Sequence, residues 1–336
     1  MNKNNTKIIA TIGPACADKK ILTSMIKRGV NVCRLNFSHA DHKTHLEAIN
    51  LIKEINQELK VHTAILADLQ GPKIRIGKVE EGAELVSGSE FTITTNELLG
   101  TSKLASINYE NFPKDVQEGE MVLINDGKIQ IQVTETNKKD TVKTKVIHGG
   151  PLSSNKGVNL PNTSLSQPCL TEKDLRDLKF ILTQPIEWIG LSFVRSAQDI
   201  LELKNHITKA NHNARVVAKI EKPEALENLE SIINVTDALM IARGDLGVEI
   251  PMQKVPVIQK KIARIRSQDY LNPKFTRVYN KENLPIDVII SPEIEIAKSI
   301  QRKLEAPGAL DSVPFSENNI RLLEILIKDN CKLINH

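Results

Sequence analysis

The chain has 336 residues, long enough for two or three compact domains, and its 40% apolar and 26% charged residues are the balance of a globular protein rather than a disordered or fibrous one. Its 45 basic and 41 acidic residues leave a net charge of +4, too small for the basic stripe that duplex nucleic acid or an anionic membrane demands. Any anion bound here is therefore expected to be small and held locally, with neither nucleic acid nor membrane as a partner.

The chain opens on a polar stretch, residues 1–7, with no apolar run long enough for a signal peptide or a membrane span, so a cytoplasmic protein is expected. Short β-branched runs then alternate with amphipathic helical stretches. Strands are predicted at residues 7–12, 30–37 and 62–69, with helices at 18–28 and 44–59 between them. In the longer helix Leu46, Ile49, Ile52, Ile55 and Leu59 recur at three- and four-residue steps, as a face packed on a sheet requires. Alternation of this kind predicts a parallel sheet.

Between residues 71 and 168 the period changes to two. Strands are predicted at 91–94, 121–124, 129–133 and 142–147, separated by Glu-Gly, Asp-Gly and Gly-Gly turns. This segment reads as a small all-β domain inserted into the α/β one. Helical periodicity returns after Thr171, whose hydroxyl can cap the next helix. Strands at 188–194, 215–220 and 238–242 then alternate with helices beginning at Ser196, Pro223 and Val255.

About six strand-helix units in two blocks fit most of a (β/α)8 barrel and also fit an open doubly wound sheet. Neither G-x-G-x-x-G nor G-x-x-x-x-G-K-[ST] occurs, so the usual nucleotide loops of open sheets are missing and the barrel is favoured. Cys16, Cys33, Cys169 and Cys331 stand singly without metal-binding spacing and are expected to be buried or half-buried thiols. Trp188 is expected in the core.

Polar groups gather at the C-terminal ends of the predicted strands, where barrel enzymes place their sites. The second strand ends Arg34-Leu-Asn36-Phe-Ser38-His39, the third Asp68-Leu-Gln-Gly-Pro-Lys73-Ile-Arg75, the fifth Lys219-Ile-Glu221-Lys222-Pro223 and the sixth Arg243-Gly-Asp245-Leu-Gly-Val-Glu249. Period two places Arg34 with Asn36, Lys219 with Glu221, and Arg243 with Asp245 on common strand faces. Cations interleaved with carboxylates suit a phosphorylated, carboxylated substrate held with a hard divalent ion. Ser38 beside His39 lacks a third orienting group, so a strand-end hydrogen-bonding role is expected rather than a nucleophile and base. The Arg243-Gly244-Asp245 adhesion tripeptide follows a buried-looking strand, which argues against adhesion.

Lys7-Ile-Ile-Ala-Thr-Ile-Gly-Pro14, Arg34 to His39, Asp68 to Arg75, Lys219-Ile-Glu221 and Met240-Ile-Ala-Arg-Gly-Asp-Leu-Gly-Val-Glu-Ile-Pro251 resemble, in order and spacing, the motifs of the pyruvate kinases. The resemblance implies an incomplete (β/α)8 barrel of residues 1–70 and 169–265, with the inserted β domain, 71–168, acting as a lid. It implies phosphoryl transfer from phosphoenolpyruvate to ADP, with Glu221 and Asp245 as ligands of Mg2+ or Mn2+ and Lys219 and Arg34 as catalytic cations. Arg34, Arg75, Lys219 and the backbone of Gly244 and Asp245 would bind the substrate, and Arg34, Asn36 and His39 the nucleotide. Asn36, Ser38, Asp68 and Lys73 would form the monovalent-cation region. Potassium-dependent members carry glutamate where this chain has Lys73, and threonine and lysine where it has Leu69 and Gln70, so potassium is expected to be dispensable. Alternatives are a magnesium-dependent lyase of the related barrel group and a catalytically silent ligand-binding fusion.

Past Ile262 the seventh and eighth strands and the C-terminal domain of that family are not found. That domain supplies much of the family's homo-oligomeric contact, so reduced assembly and impaired turnover are expected. Residues 266–336 are read as a βα tail. Its segments at 265–270 and 285–309 resemble the end of the nucleotide-binding domain of a Trk-type potassium-uptake regulatory protein, without that family's glycine fingerprint.

Overall fold

The computed structural model describes residues 7–256, 258–259, 309–315 and 320–325. The chain divides into two units, Met1–Val257 and Ile258–His336. The first begins with β1 (Ile8–Thr11), α1 (Lys19–Lys27), β2 (Val30–Asn36), α2 (His42–Leu59) and β3 (Ala64–Asp68). Both helices start on an aspartate, as good N-caps do. The Asp18 carboxylate accepts from the N–H groups of Lys20 and Ile21, and Asp41 accepts from that of Thr44. The buried face of α2 is Ile49, Ile52 and Ile55, continued toward its start by His45 and Ala48.

The inserted segment carries β4 (Glu84–Leu85), β5 (Glu90–Thr94), β6 (Leu104–Ser106), α3 (Phe112–Asp115), β7 (Met121–Ile124), β8 (Ile129–Thr136), β9 (Thr141–His148), β10 (Gly150–Pro151) and β11 (Val158–Asn159). Six of these form one sheet in the order β11-β7-β8-β9-β5-β6, and β10 pairs with β4. The alternating buried positions Phe91 and Ile93, Ile129, Ile131 and Val133, and Val142 and Val146 feed a hydrophobic core belonging to this segment alone. The shortest strands, β4, β10 and β11, hold two residues each, too few for a periodic signal in sequence.

The α/β pattern resumes with α4 (Glu172–Ile181), β12 (Trp188–Leu191), α5 (Ala197–Lys209), β13 (Arg215–Ile220), α6 (Pro223–Glu227), α7 (Leu229–Val235), β14 (Ala238–Ile241) and α8 (Arg243–Glu249). Thr171 and Asp174 make a reciprocal capping box on α4. The six strands of this block and the first form one parallel sheet, β1-β2-β3-β12-β13-β14. Its register sets Asn36 opposite Asp68 and Asp68 opposite Gly190, so three neighbouring strands reach their C-terminal ends at one level.

Several expectations change. The fourth strand stops at Leu191, because Phe193 takes a left-handed backbone (φ 56°) that no strand accommodates. The helix from Pro223 divides at Asn228 into α6 and α7. Arg243 to Asp245 open a helix instead of ending a strand, so residues two apart no longer share a face and the pairing of Arg243 with Asp245 fails. Trp188 is half-buried, with the Arg215 guanidinium 5.6 Å from its ring centroid, rather than core. Cys33 and Cys169 are buried and Cys16 half-buried, and Cys331 lies outside the described residues.

In the second unit the described strands are β15 (Ala309–Phe315) and β16 (Ile320–Ile325), an antiparallel pair. The βα unit expected near residues 286–298 lies outside the described residues. Among the described residues no helix is long and apolar enough to cross a membrane.

Gly71, where the chain leaves the sheet for the insertion, has φ 69°, and a Cβ there would lie 2.8 Å from Phe193 Cδ2 and 3.0 Å from Ser192 Cβ. Gly82 also has positive φ (82°), but with nothing near its missing Cβ. Both Gly→Ala variants should carry the same kind of backbone strain, and only Gly71→Ala adds crowding, expected to cost a further ~1–3 kcal/mol. Urea denaturation of the two variants checks this; equal losses would show that Ser192 and Phe193 yield freely.

Candidate active site

The C-terminal edge of the parallel sheet carries a buried charge cluster. Asp68, at the end of β3, accepts from Arg34 on β2 through one oxygen, with Nε at 2.7 Å and Nη2 at 2.5 Å. Its other oxygen, Oδ1, lies 3.2 Å from the Lys219 ammonium on β13. That separation gives ionic attraction, but Oδ1 has no hydrogen-bond partner of good geometry. Lys219 also donates to the Ser192 hydroxyl at 2.7 Å and lies 2.9 Å from Glu221 Oε1. The second Glu221 oxygen accepts from the Phe193 N–H at 2.9 Å.

Asp68 and Lys219 sit on strands separated by β12, and they meet because β12 carries glycine at the crossing. A Cβ on Gly190 would lie 2.9 Å from Asp68 Oδ1. The side chains of Asp68 and Glu221 are 2% exposed and that of Lys219 10%, so each charge depends on the others. Removing one member of so buried a pair costs on the order of 3–5 kcal/mol.

Electrostatics divide the two lysines of the site. Burial is the largest influence on Lys219 and favours its neutral form, yet Glu221 and Asp68 together outweigh it and raise its pKa above the ordinary lysine value. Lys73 is half-buried and its pKa is lowered, first by burial and then by the charges of Arg75 and Lys219, against attraction from Asp245 and Glu221. The carboxyl of Glu221 is pushed up, chiefly by burial, although Lys219 opposes this. Asp245, exposed in the first turn of α8, adds a repulsion that raises it further. Lys73, Arg75, Lys219, Glu221 and Asp245 therefore share one field.

Lys73, Arg75 and Asp245 line a cleft of about 370 Å³ together with Asn125, Asp126 and Asn159 of the insertion and Lys222 and Glu249 of the sheet block. Asn36 and His39 belong to a different cavity, of about 810 Å³, with Pro14, Thr44 and Glu54. The Asn36 side chain accepts from the Ser38 N–H at 3.0 Å, and the His39 carbonyl lies 3.0 Å from His45 Nε2. In the proposed monovalent-cation region, Asp68 is met by Arg34 and Lys219, not by Lys73. Gly244 lies beside Asp245 in the same exposed helical turn.

Among the described residues no group of three or more His, Cys, Asp or Glu could hold a metal alone. Glu221 and Asp245 supply hard carboxylate oxygens, and Mg2+ characteristically takes one or two carboxylates and completes its shell with water and substrate phosphate. The donor set therefore fits such an ion.

Sequence reasoning missed Ser192 and Thr11, and it counted Lys222 and Glu249 among the strand-end polar residues without pairing them. Ser192 accepts from Lys219 and donates to the Leu69 carbonyl at 2.7 Å, and Thr11 receives Arg34 Nη1 at 2.8 Å. A hydroxyl inside the apolar run Leu191-Ser-Phe-Val194, at the end of the fourth strand, was the available signal.

A buried cation between carboxylates at the C-terminal edge of a parallel sheet, beside a cation-rich cleft, is the arrangement of an α/β protein whose polar groups converge at one sheet end. A profile of the pyruvate kinase barrel domain matches residues 3–271. The chain is 46% identical over 264 residues to pyruvate kinase 2 of Synechocystis, covering 76% of this chain and 44% of that protein. It is 43% identical over 270 residues to pyruvate kinase of Thermotoga maritima, covering 80% and 58%, and 42% identical over 261 residues to that of Staphylococcus aureus, covering 77% and 45%. The chain belongs to the pyruvate kinase family, and it spans about half the length of the curated relatives it matches.

The lowered pKa of Lys73 has a testable sign. An amine whose folded-state pKa is depressed binds fewer protons folded than unfolded, so its charge destabilises the fold below that pKa and the penalty fades as pH rises toward the ordinary value of 10.5. Lys73→Met should melt above the parent at pH 7, with the gap closing toward pH 10.5. A gap that stays constant or widens with pH would contradict the assignment.

Proposed function

We propose that the chain transfers the phosphoryl group of phosphoenolpyruvate to ADP, giving pyruvate and ATP. The observation that carries this reading is the Lys219 ammonium, held charged by Asp68 and Glu221 at the sheet edge of a chain that belongs to this family. Phosphoryl transfer needs positioning and charge neutralisation more than protein covalent chemistry. Lys219 supplies a fixed positive charge beside the transferring group, and Arg34 and Arg75 face phosphate oxygens. Glu221 and Asp245 hold Mg2+ or Mn2+, which when bound neutralises phosphoryl oxygens. The N–H groups of Gly244 and Asp245 meet the substrate carboxylate, and Asn36 and His39, with Arg34, meet the nucleotide.

We place the barrel at residues 1–70 and 169–265 and read the insertion, 71–168, as a lid over the cleft.

The test couples pyruvate formation to NADH oxidation by lactate dehydrogenase, with Mn2+ titrated in parallel into the parent and Glu221→Gln. Phosphoenolpyruvate should tighten Mn2+ binding by the parent, and Glu221→Gln should lose that coupling; unchanged coupling would overturn the metal assignment. Lys73 supplies an ammonium in the proposed cation region, so potassium at constant ionic strength should leave phosphoenolpyruvate affinity unchanged. A clear rise in affinity would contradict that role.

A further inference from the structure

Lys222 and Glu249 form a second buried ion pair, outside the Lys219 cluster. Lys222 Nζ lies 2.9 Å from Glu249 Oε2, with both side chains no more than 3% exposed. Lys222 immediately follows Glu221, and Glu249 is the last residue of α8, the helix whose first turn carries Asp245. The pair therefore ties the end of β13 to α8, the two backbone segments that present Glu221 and Asp245. The insertion joins the same pair: Lys222 donates to the Leu160 carbonyl at 3.2 Å, and Asn159 Nδ2 donates to Glu249 Oε1 at 2.8 Å.

The Asn125-Asp-Gly127 turn between β7 and β8 approaches α8 as well, since a Cβ on Gly127 would lie 3.8 Å from Val248 Cγ1. Two lysines thus divide the work. Lys219 meets Asp68 and Glu221, while Lys222, the residue after Glu221, turns toward the insertion. A buried pair of this kind contributes little net stability compared with well-packed apolar residues, but it fixes geometry, because each charge tolerates only the place where its partner and added donors sit.

We infer that the Lys222–Glu249 pair, with Asn159 and the Leu160 carbonyl, is a positioning bolt. It fastens the inserted β domain to α8 and holds the Glu221 and Asp245 segments at their working separation. Lys222 and Glu249 are positioning residues, acting through the segments they join; the metal half of the inference rests on the reading of Glu221 and Asp245 proposed above.

The test uses the full chain, the double variant Lys222→Met with Glu249→Met, which replaces both charges by apolar side chains of similar length, and the milder Asn159→Ala, which keeps the ion pair and removes the bond from the insertion. Amide hydrogen exchange is followed by mass spectrometry in peptides covering residues 156–161 and 243–249, with residues 30–36 of β2 as an internal control. In both variants exchange in the first two peptides should rise by about tenfold while the control stays near the parent rate, as for a local opening. Mn2+ affinity of the double variant should fall ~10-fold or more, as when outer-shell partners of a metal site are removed.

Parent-like exchange at 156–161 and 243–249 in a folded variant would overturn the bolt, as would an equal rise in all three peptides. If the double variant does not fold, Asn159→Ala decides by the same comparison. A parent chain that binds no Mn2+ would defeat the metal reading above, and the exchange pattern would still decide whether the bolt exists.

Discussion

A lysine ammonium enclosed by two buried carboxylates sets the terms for the rest of this site. Charges removed from water are tolerated where partners and hydrogen bonds replace the lost solvation, and Lys219 finds Asp68, Glu221 and the Ser192 hydroxyl around it. The arrangement requires three strands at one register, with a small residue on the middle one. Gly190 on β12 leaves room for the Asp68 carboxylate, and the residues after Leu191 leave the strand to supply a hydroxyl and an N–H group. The parallel sheet is thus the device that brings Arg34, Asp68, Lys219 and Glu221 together from three separated stretches of sequence.

The consequence is a graded field. Lys219 is kept charged by its carboxylates, whereas Lys73 is pressed toward its neutral form by burial and by the charges of Arg75 and Lys219. An anion arriving in the cleft would relieve the repulsion among Lys73, Arg75 and Lys219, so the cost of crowding cations in the free protein is offset when a phosphate binds. Asp245, exposed and near Glu221, leaves the site short of positive charge on its carboxylate side, which is the side a divalent ion suits.

Much of this was legible in the sequence because strand ends advertise themselves. Arg34, Asp68 and Lys219 are charged residues closing apolar runs, and their convergence follows from a parallel sheet whose strands end at one level. Period-two alternation likewise announced β7, β8 and β9. What was hidden depends on φ or on tertiary contact. The left-handed backbone of Phe193 takes the chain out of β12, and its N–H meets Glu221; nothing in Leu-Ser-Phe-Val demands either. Arg243-Gly-Asp245 reads as a strand end because it follows the predicted strand at 238–242, yet the segment forms α8, tied down at Glu249 by Lys222 and Asn159. Lys222 stood among the strand-end polar residues, but its burial comes from Glu249 and the inserted domain, which sequence periodicity cannot dock.

The most direct test of the central claim is the protonation state of Lys219 itself. The side-chain nitrogen resonance of Lys219, assigned by its loss in Lys219→Arg, can be followed by 15N nuclear magnetic resonance as pH is raised past the ordinary lysine value of 10.5. The account predicts that Lys219 remains an ammonium where the exposed lysines have begun to lose their protons. Titration of Lys219 together with the exposed lysines, or below them, would show that Asp68 and Glu221 do not hold its charge, and the organisation of the site described here would fall with it.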